Sequence, residues 1–392
     1  MVALMTLASA DATGAGQMAL EFCRSLGEAD WRVVLVSGPA PPPDRGGSIL
    51  PRMVEAGVEV RELDRLVAPT WPVWKRLRTI AAECHPDVVI GVMQRDRPVA
   101  LVLARVLRVP GLVAVQNQHV FWGPPPVRWA KRLIYRLSVR FLATLAVCAS
   151  EPVLQEIRRF GVSTERSRLL PNGIRIAPPA WLSESERRTL RAELGAGPAD
   201  LLMVNVGRLD RQKGQDLLIS ALARCSDRYP RLRLALVGGV VPGAGQARGA
   251  EFAAGLKRQV SSEGVQDRVV FAGWRTDVAR VLRAADGYVH AARWEGWSLA
   301  VMEAMANSLP IVMTDCAGWP TGFSAGTQGW VVASNDVAAL AVGIEMLAKA
   351  SDTHRVAMGE ASRSLVQRHY DIRTISHQFA RLVVALSEEG RR

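Results

Sequence analysis

Two carboxylates and two cations carry the chemistry that this sequence can offer. Glu295 and Glu303 lie eight residues apart in the run Trp294-Glu295-Gly296-Trp297-Ser298-Leu299-Ala300-Val301-Met302-Glu303-Ala304-Met305-Ala306. Gly296 flexes a loop, Ser298 is placed as an N-cap, and good helix formers follow. The backbone N–H groups of such a helix start point outward with the positive end of its dipole, a geometry that suits a phosphate. Gly296, Trp297, Ser298 and Leu299 are therefore candidate substrate contacts. The two carboxylates can accept hydrogen bonds from sugar hydroxyls. On this stretch alone, a capped core helix with two solvated acids explains the residues equally well.

Upstream, Gly207-Arg208-Leu209-Asp210-Arg211-Gln212-Lys213-Gly214 follows the apolar run 201–206, which reads as a buried strand. Gly207, Arg208 and Lys213 thus leave a strand end together, where ligands bind in open α/β sheets. Two cations there could neutralise a diphosphate. Taken together, the two motifs and their E-x7-E spacing resemble the GT-B glycosyltransferases, specifically the large retaining family four. The resemblance covers nearly the whole chain.

It implies an α/β fold of two Rossmann-like, doubly wound domains facing each other across a cleft. It also implies transfer of a sugar from a nucleoside-diphosphate sugar to an acceptor hydroxyl, with retention, in polysaccharide or glycolipid assembly. By the same resemblance Glu303 holds the ribose and Glu295 lies nearer the sugar. Asn117-Gln118-His119 follows the apolar run 111–116, and family members often carry a histidine that contacts the donor sugar at this point. Arg208, Lys213, Glu295 and His119 are accordingly the candidate catalytic residues.

The elements that must position these groups can be read from pattern. Apolar runs near 2–8, 31–36, 58–63, 88–91, 111–116 and 143–149 alternate with helical stretches, and the alternation restarts at 201 with runs at 232–237, 269–271, 287–290, 311–314 and 330–332. This βα rhythm predicts parallel, doubly wound sheets. A P-N-G turn, Pro171-Asn172-Gly173, is similar to the family's own, although Arg175 stands near the place of the family's usual aspartate. The composition shifts at Ala177-Pro178-Pro179-Ala180, which sets the expected domains at 1–176 and 177–370, with a last helix, about 371–392, crossing back onto the first. Arg275, Asp277 and His290 close strands as secondary candidates. The family's further glutamate after Asp315 is missing from Cys316-Ala317-Gly318-Trp319-Pro320-Thr321-Gly322.

The glycines at the start need a decision. Gly14-Ala15-Gly16-Gln17-Met18-Ala19 is formally a G-x-G-x-x-A fingerprint, which raises an NAD-dependent oxidoreductase as a rival. A polar linker separates these glycines from their strand. The second strand ends in Ser37-Gly38, where a ribose-binding acid should stand. In the resembled family, a glycine-rich loop here faces the donor phosphates, so Gly14 and Gly16 are counted as substrate-binding candidates. A plain tight turn before a helix is the bland alternative. A third possibility is a non-catalytic nucleotide-sugar-binding relative, against which Arg208, Lys213, Glu295 and Glu303 are all present.

The totals bound the partners. The chain has 392 residues, 49% hydrophobic and 22% charged, which fits two globular domains rather than a disordered chain. Five scattered cysteines, Cys23, Cys84, Cys148, Cys225 and Cys316, lack C-x-x-C spacing and point to free thiols in a reducing cytoplasm. The segment 1–10 ends in Ala8-Ser9-Ala10 but has no basic lead, so a buried strand is expected rather than a signal peptide. No D-x-D triplet occurs, so neither metal nor cofactor is expected. The net charge of +12 suits an anionic partner, yet no nucleic-acid-binding motif accompanies it.

The charge is densest at 97–150, which holds seven arginines, one lysine and no acid. Arg128, Arg132, Arg136 and Arg140 recur every four residues and stack on one helix face. Ala130, Leu133, Ile134, Leu137 and Phe141 form another face, expected to pack on the sheet. The basic stripe is either a solvated face or a surface for anionic lipid head groups or a lipid-diphosphate acceptor, with Trp74-Lys75-Arg76, Trp122 and Trp129 nearby. The expectation is a cytoplasmic protein, peripheral at the inner face of the cell membrane, acting on a nucleotide sugar and a lipid-linked acceptor glycan.

Overall fold

Aliphatic runs flanked by amphipathic helices build two separate parallel sheets. The computed structural model describes residues 1–392 except 12–13, 40–46, 65, 67–69, 116–123, 177–181, 241–245, 317–318 and 390–392. The chain divides into Met1–Gly173 with Ile372–Arg392, and Ile174–Asp371.

The first unit runs β1 (Val2–Leu7), α1 (Gly14–Glu28), β2 (Arg32–Ser37), α2 (Leu50–Glu55), β3 (Glu59–Glu62), α3 (Trp71–Cys84), β4 (Val88–Gly91), α4 (Arg97–Leu107), β5 (Gly111–Val115), α5 (Pro125–Leu142), β6 (Leu145–Cys148), α6 (Glu151–Arg159) and β7 (Ser167–Leu169). Its sheet order is β3-β2-β1-β4-β5-β6-β7, with every pairing parallel. Helices cover both faces, so the central strands are apolar throughout, as in Leu4, Met5, Val34, Leu35, Val89 and Ile90, all buried.

The second unit runs α7 (Glu184–Glu193), β8 (Leu201–Val206), α8 (Gln215–Cys225), β9 (Leu232–Val237), α9 (Gln246–Ser262), β10 (Val269–Gly273), α10 (Val278–Ala284), β11 (Gly287–His290), α11 (Leu299–Ala306), β12 (Ile311–Thr314), β13 (Gly329–Val332), α12 (Val337–Lys349) and α13 (Asp352–His369). Its sheet order is β10-β9-β8-β11-β12-β13, again parallel. In both sheets the order reverses beside the first strand, at β1/β4 and at β8/β11. Those are the places where an open α/β sheet leaves a crevice at its carboxyl edge.

The strands expected at 88–91, 201–206, 232–237, 287–290 and 311–314 form to the residue. The short edge strand β7 was not expected: it has three residues, two of them exposed, and no apolar run marks it. The last helix, α14 (Ile372–Glu389), belongs to the first unit. Ile372, Ile375, Phe379, Val383 and Leu386 recur at helical spacing on its buried face. Phe379 stacks on Phe22 of α1, with ring centroids 3.8 Å apart and planes 12° apart.

Helix α7 starts where its sequence says it should. Ser183 Oγ accepts from Glu186 N, and Glu186 Oε2 accepts from Ser183 N, closing a capping box. Ser183→Ala is expected to lower the unfolding free energy by about 1 kcal/mol. Urea denaturation with an unchanged midpoint would contradict that.

A buried polar knot fixes the carboxyl ends of β1, β4 and β5. The Asp96 carboxylate accepts from Thr6 Oγ1 at 2.6 Å, Ala8 N at 3.0 Å, Met93 N at 3.1 Å and Val92 N at 3.2 Å. The neighbouring Arg97, also buried, donates to Val92 O and Ala114 O and to the hydroxyl of Tyr135 on α5. The carboxyl ends of three strands and helix α5 are thereby tied together.

Helix α5 departs from expectation. Its buried residues are Tyr135, Ser138 and Val139. Ala130, Leu133, Ile134, Leu137 and Phe141, expected against the sheet, are exposed. The helix packs through a third, narrow arc that neither the arginine stripe nor the apolar row marks. All five cysteines are free and buried. Among the described residues no helix is long and apolar enough to cross a membrane.

Candidate active site

The loop after β8 is shaped by its own residues before it meets anything else. Asp210 caps a short 3-10 turn, Arg211–Lys213, by accepting from Gln212 N at 2.8 Å. Gly214 follows at φ +68, and a Cβ there would lie 2.0 Å from Ala291 O. Only glycine fits that approach, and it brings the start of α8 against the segment leaving β11. The fully buried Gln215 then donates from Nε2 to Arg208 O at 2.7 Å, pinning the loop from beneath.

Arg293 clamps the two motifs to each other. Its guanidinium forks onto Asp216 at 2.8 and 2.7 Å and also donates to Arg211 O at 2.8 Å. Its backbone N–H donates to Gln212 O at 2.8 Å, and Gln212 Nε2 donates to Trp294 O at 3.0 Å. A bidentate arginine–carboxylate pair fixes orientation as well as distance. The result is an ion pair between Lys213 Nζ and Glu295 Oε2, with Glu295 buried and Lys213 nearly so. Arg208 stays exposed at the rim, donating to Gln212 Oε1 at 3.0 Å, with Asp210 3.6 Å away.

Beyond Gly296 the chain enters α11, whose N-cap is Ser298; its Oγ accepts from Val301 N at 3.4 Å. Trp297 is buried, 5.3 Å from the ring of Tyr370. The carboxylate of Glu303, in the second turn, has no hydrogen-bond or ionic partner among the described residues, while the residue's backbone carbonyl accepts from Asn307 Nδ2 at 2.8 Å. Desolvation lifts its carboxyl to about 7. Beside the pair, His290 closes β11, and neither ring nitrogen has a hydrogen-bond partner among the described residues. Burial first, and then the positive charge of Lys213, push its pKa down to about 3, so the ring is neutral at ordinary pH.

The fold therefore gathers Gly207, Arg208, Lys213, Glu295 and Gly296, and continues through Trp297, Ser298 and Leu299 to Glu303. Gly14 and Gly16 open α1 in the other unit, where a Cβ on Gly16 would lie 2.3 Å from Asp11 O, the contact of a tight turn. His119 and Trp122 lie outside the described residues. Arg275 forks onto Asp277 at 2.8 Å and reaches Glu193 at 3.2 Å, so this pair serves the packing of α7. Sequence reasoning missed Arg293, Asp216, Gln212 and Gln215. Arg293 and Asp216 are 77 residues apart, and no local pattern couples them.

Doubly wound parallel sheets in both units, with cations and carboxylates gathered at one switch point, define the GT-B class of glycosyltransferase. Residues 186–365 match the family "glycosyl transferases group 1", and residues 12–177 match "glycosyltransferase family 4". The chain belongs to these glycosyltransferases. It moves a sugar from a nucleoside-diphosphate donor to an acceptor hydroxyl, and the oxidoreductase alternative falls with the acid-free end of β2.

Among its relatives is the lipopolysaccharide core biosynthesis mannosyltransferase LpsB of Rhizobium meliloti, 26% identical over 275 residues, covering 68% of this chain and 70% of the relative. The D-inositol 3-phosphate glycosyltransferase of Nocardia farcinica is 28% identical over 337 residues, covering 73% and 72%. The crystal structure of Anabaena HepE in complex with UDP has the same fold, with a TM-score of 0.83 at 20% identity, covering 98% of this chain and 100% of that one.

Proposed function

We propose a metal-independent, retaining glycosyltransferase of glycolipid or polysaccharide assembly, acting on a lipid-linked acceptor at the cytoplasmic face of an anionic membrane. The observation that carries the site is the buried Lys213–Glu295 pair set beside the capped start of α11. Lys213 and Arg208 would meet the donor diphosphate, and the first amides of α11 would add their dipole. Glu295, already holding Lys213, would fix the ammonium toward the leaving oxygen and accept from a sugar hydroxyl. Glu303 would take the ribose hydroxyls. The unpartnered His290 is a further polar group that donor binding could satisfy.

Negative charge grows on the diphosphate as the glycosidic bond breaks, so fixed cations stabilise the transition state more than the bound donor. UDP-sugars are the first donors to try, because the fold neighbour HepE is crystallised with UDP; mannose is the first sugar beyond them, from the name of LpsB. Screening nucleotide sugars against a membrane-lipid extract by mass spectrometry tests the activity. Failure to form any product would favour a non-catalytic relative.

The metal-independent reading rests on Arg208 and Lys213, cations of the chain itself that leave the same strand end and could meet the diphosphate. Transfer is expected to persist after exhaustive chelation. A complete loss restored only by magnesium or manganese would sink this part of the reading.

A further inference from the structure

Helix α5 leaves its most apolar face uncovered. At about 100° per residue, the buried Tyr135, Ser138 and Val139 share one arc. The arc directly opposite holds Trp129, Leu133, Ile134, Leu137 and Phe141, all exposed, with Trp129 at 67% and Phe141 at 65%. Arg128, Arg132, Arg136 and Arg140 sweep along one flank, from the edge of the buried arc to the edge of this row. Arg128 and Arg136 have no ionic partner among the described residues, while Arg132 and Arg140 lie over the rings of Phe160 and Phe141. The neighbouring α4 adds exposed Val102, Arg105 and Val106. Water-soluble surfaces rarely keep such a contiguous apolar strip without a partner.

The charges choose among occupants. A second copy docked through this face would set arginine stripe near arginine stripe, with no acid anywhere in 97–150 to relieve them. An anionic bilayer satisfies both parts at once: an apolar row can enter the acyl boundary while flanking cations meet lipid phosphates.

We propose that α5 lies in the plane of an anionic bilayer surface, with Trp129, Leu133, Ile134, Leu137 and Phe141 inserted and Arg128, Arg132, Arg136 and Arg140 on the headgroup phosphates. This deepens the membrane part of the proposed function by naming the surface and how it seats, and it rests on that part alone. The test needs no sugar donor, so its failure leaves the transferase reading intact.

The full-length protein is sedimented with vesicles of phosphatidylcholine alone, or with phosphatidylglycerol added, at low and at physiological salt. Binding is expected only when phosphatidylglycerol is present. The combined Arg128→Gln, Arg132→Gln, Arg136→Gln variant should partition roughly a hundredfold more weakly at low salt. The combined Trp129→Ser, Ile134→Ser, Phe141→Ser variant should keep part of its low-salt attraction but bind at least about tenfold more weakly at physiological salt. All six positions are exposed, and circular dichroism of each variant checks the fold. Parent protein left in the supernatant, equal binding to both vesicle types, or both variants binding like the parent would each overturn the proposal. So would a parent dimer that the serine variant abolishes, because the occupant would then be a second copy.

Discussion

Lys213→Ala and Arg208→Ala are each expected to lower turnover by about thirtyfold to a thousandfold, equivalent to roughly 2–4 kcal/mol in the barrier. Both cations leave the carboxyl end of β8, where a donor diphosphate would develop its charge. The two differ in what their loss leaves behind. Arg208 is exposed and held only by Gln212 and Asp210 among the described residues, so removing it should cost activity and little stability. Lys213 is the partner of the buried Glu295, so Lys213→Ala also strands a carboxylate away from water. Adding Glu295→Gln removes the stranded charge. The double variant should therefore regain thermal stability without regaining turnover. Near-parent kcat in either single variant, with a distant surface arginine variant behaving alike, would mean that the site lies elsewhere.

The second large effect concerns Glu303. Its carboxyl has no hydrogen-bond or ionic partner among the described residues, and desolvation alone raises it to about 7 although the residue is only partly buried. Because the raised value belongs to the folded state, the stability that it contributes is present below the unfolded carboxylate range, near 4 to 5. That contribution is lost as pH rises from there through about 7. Above that pH an unpaired carboxylate sits in a largely desolvated place, and Glu303→Gln should be the more stable protein, by on the order of 1–3 kcal/mol. Donor binding should run the other way. Ribose hydroxyls donating to the carboxylate favour its charged form, so the parent's KM for the donor should fall as pH rises through about 7. Glu303→Gln should flatten that profile and raise KM roughly tenfold or more at the alkaline end, with kcat changed far less. A parent KM independent of pH from 6 to 8, roughly a unit either side of that value, together with an unchanged KM in the variant, would remove Glu303 from the donor site.

Much of this enzyme is written locally. Strand runs of Leu, Val and Ile flanked by turns marked most of the sheet, since a parallel strand covered on both faces must be apolar at every position. Ser298 announced a helix start because a side-chain oxygen there satisfies an amide that the helix itself cannot. The two site motifs were legible for the same reason: each is a strand end or helix start whose backbone geometry its own residues dictate.

Tertiary structure decided what those motifs do to each other. The pairing of Lys213 with Glu295 spans 82 residues of chain, and its clamp, Arg293 on Asp216, spans 77; both exist because β8 and β11 lie side by side. The desolvation of Glu303 depends likewise on what surrounds α11, not on its neighbours in sequence. Helix α5 shows the limit most plainly. Periodicity reveals that a helix has a basic stripe and an apolar row, but not which arc the rest of the chain will cover. Here Tyr135, held by Arg97, and the small Ser138 and Val139 took the inside, and the apolar row was left to face outward.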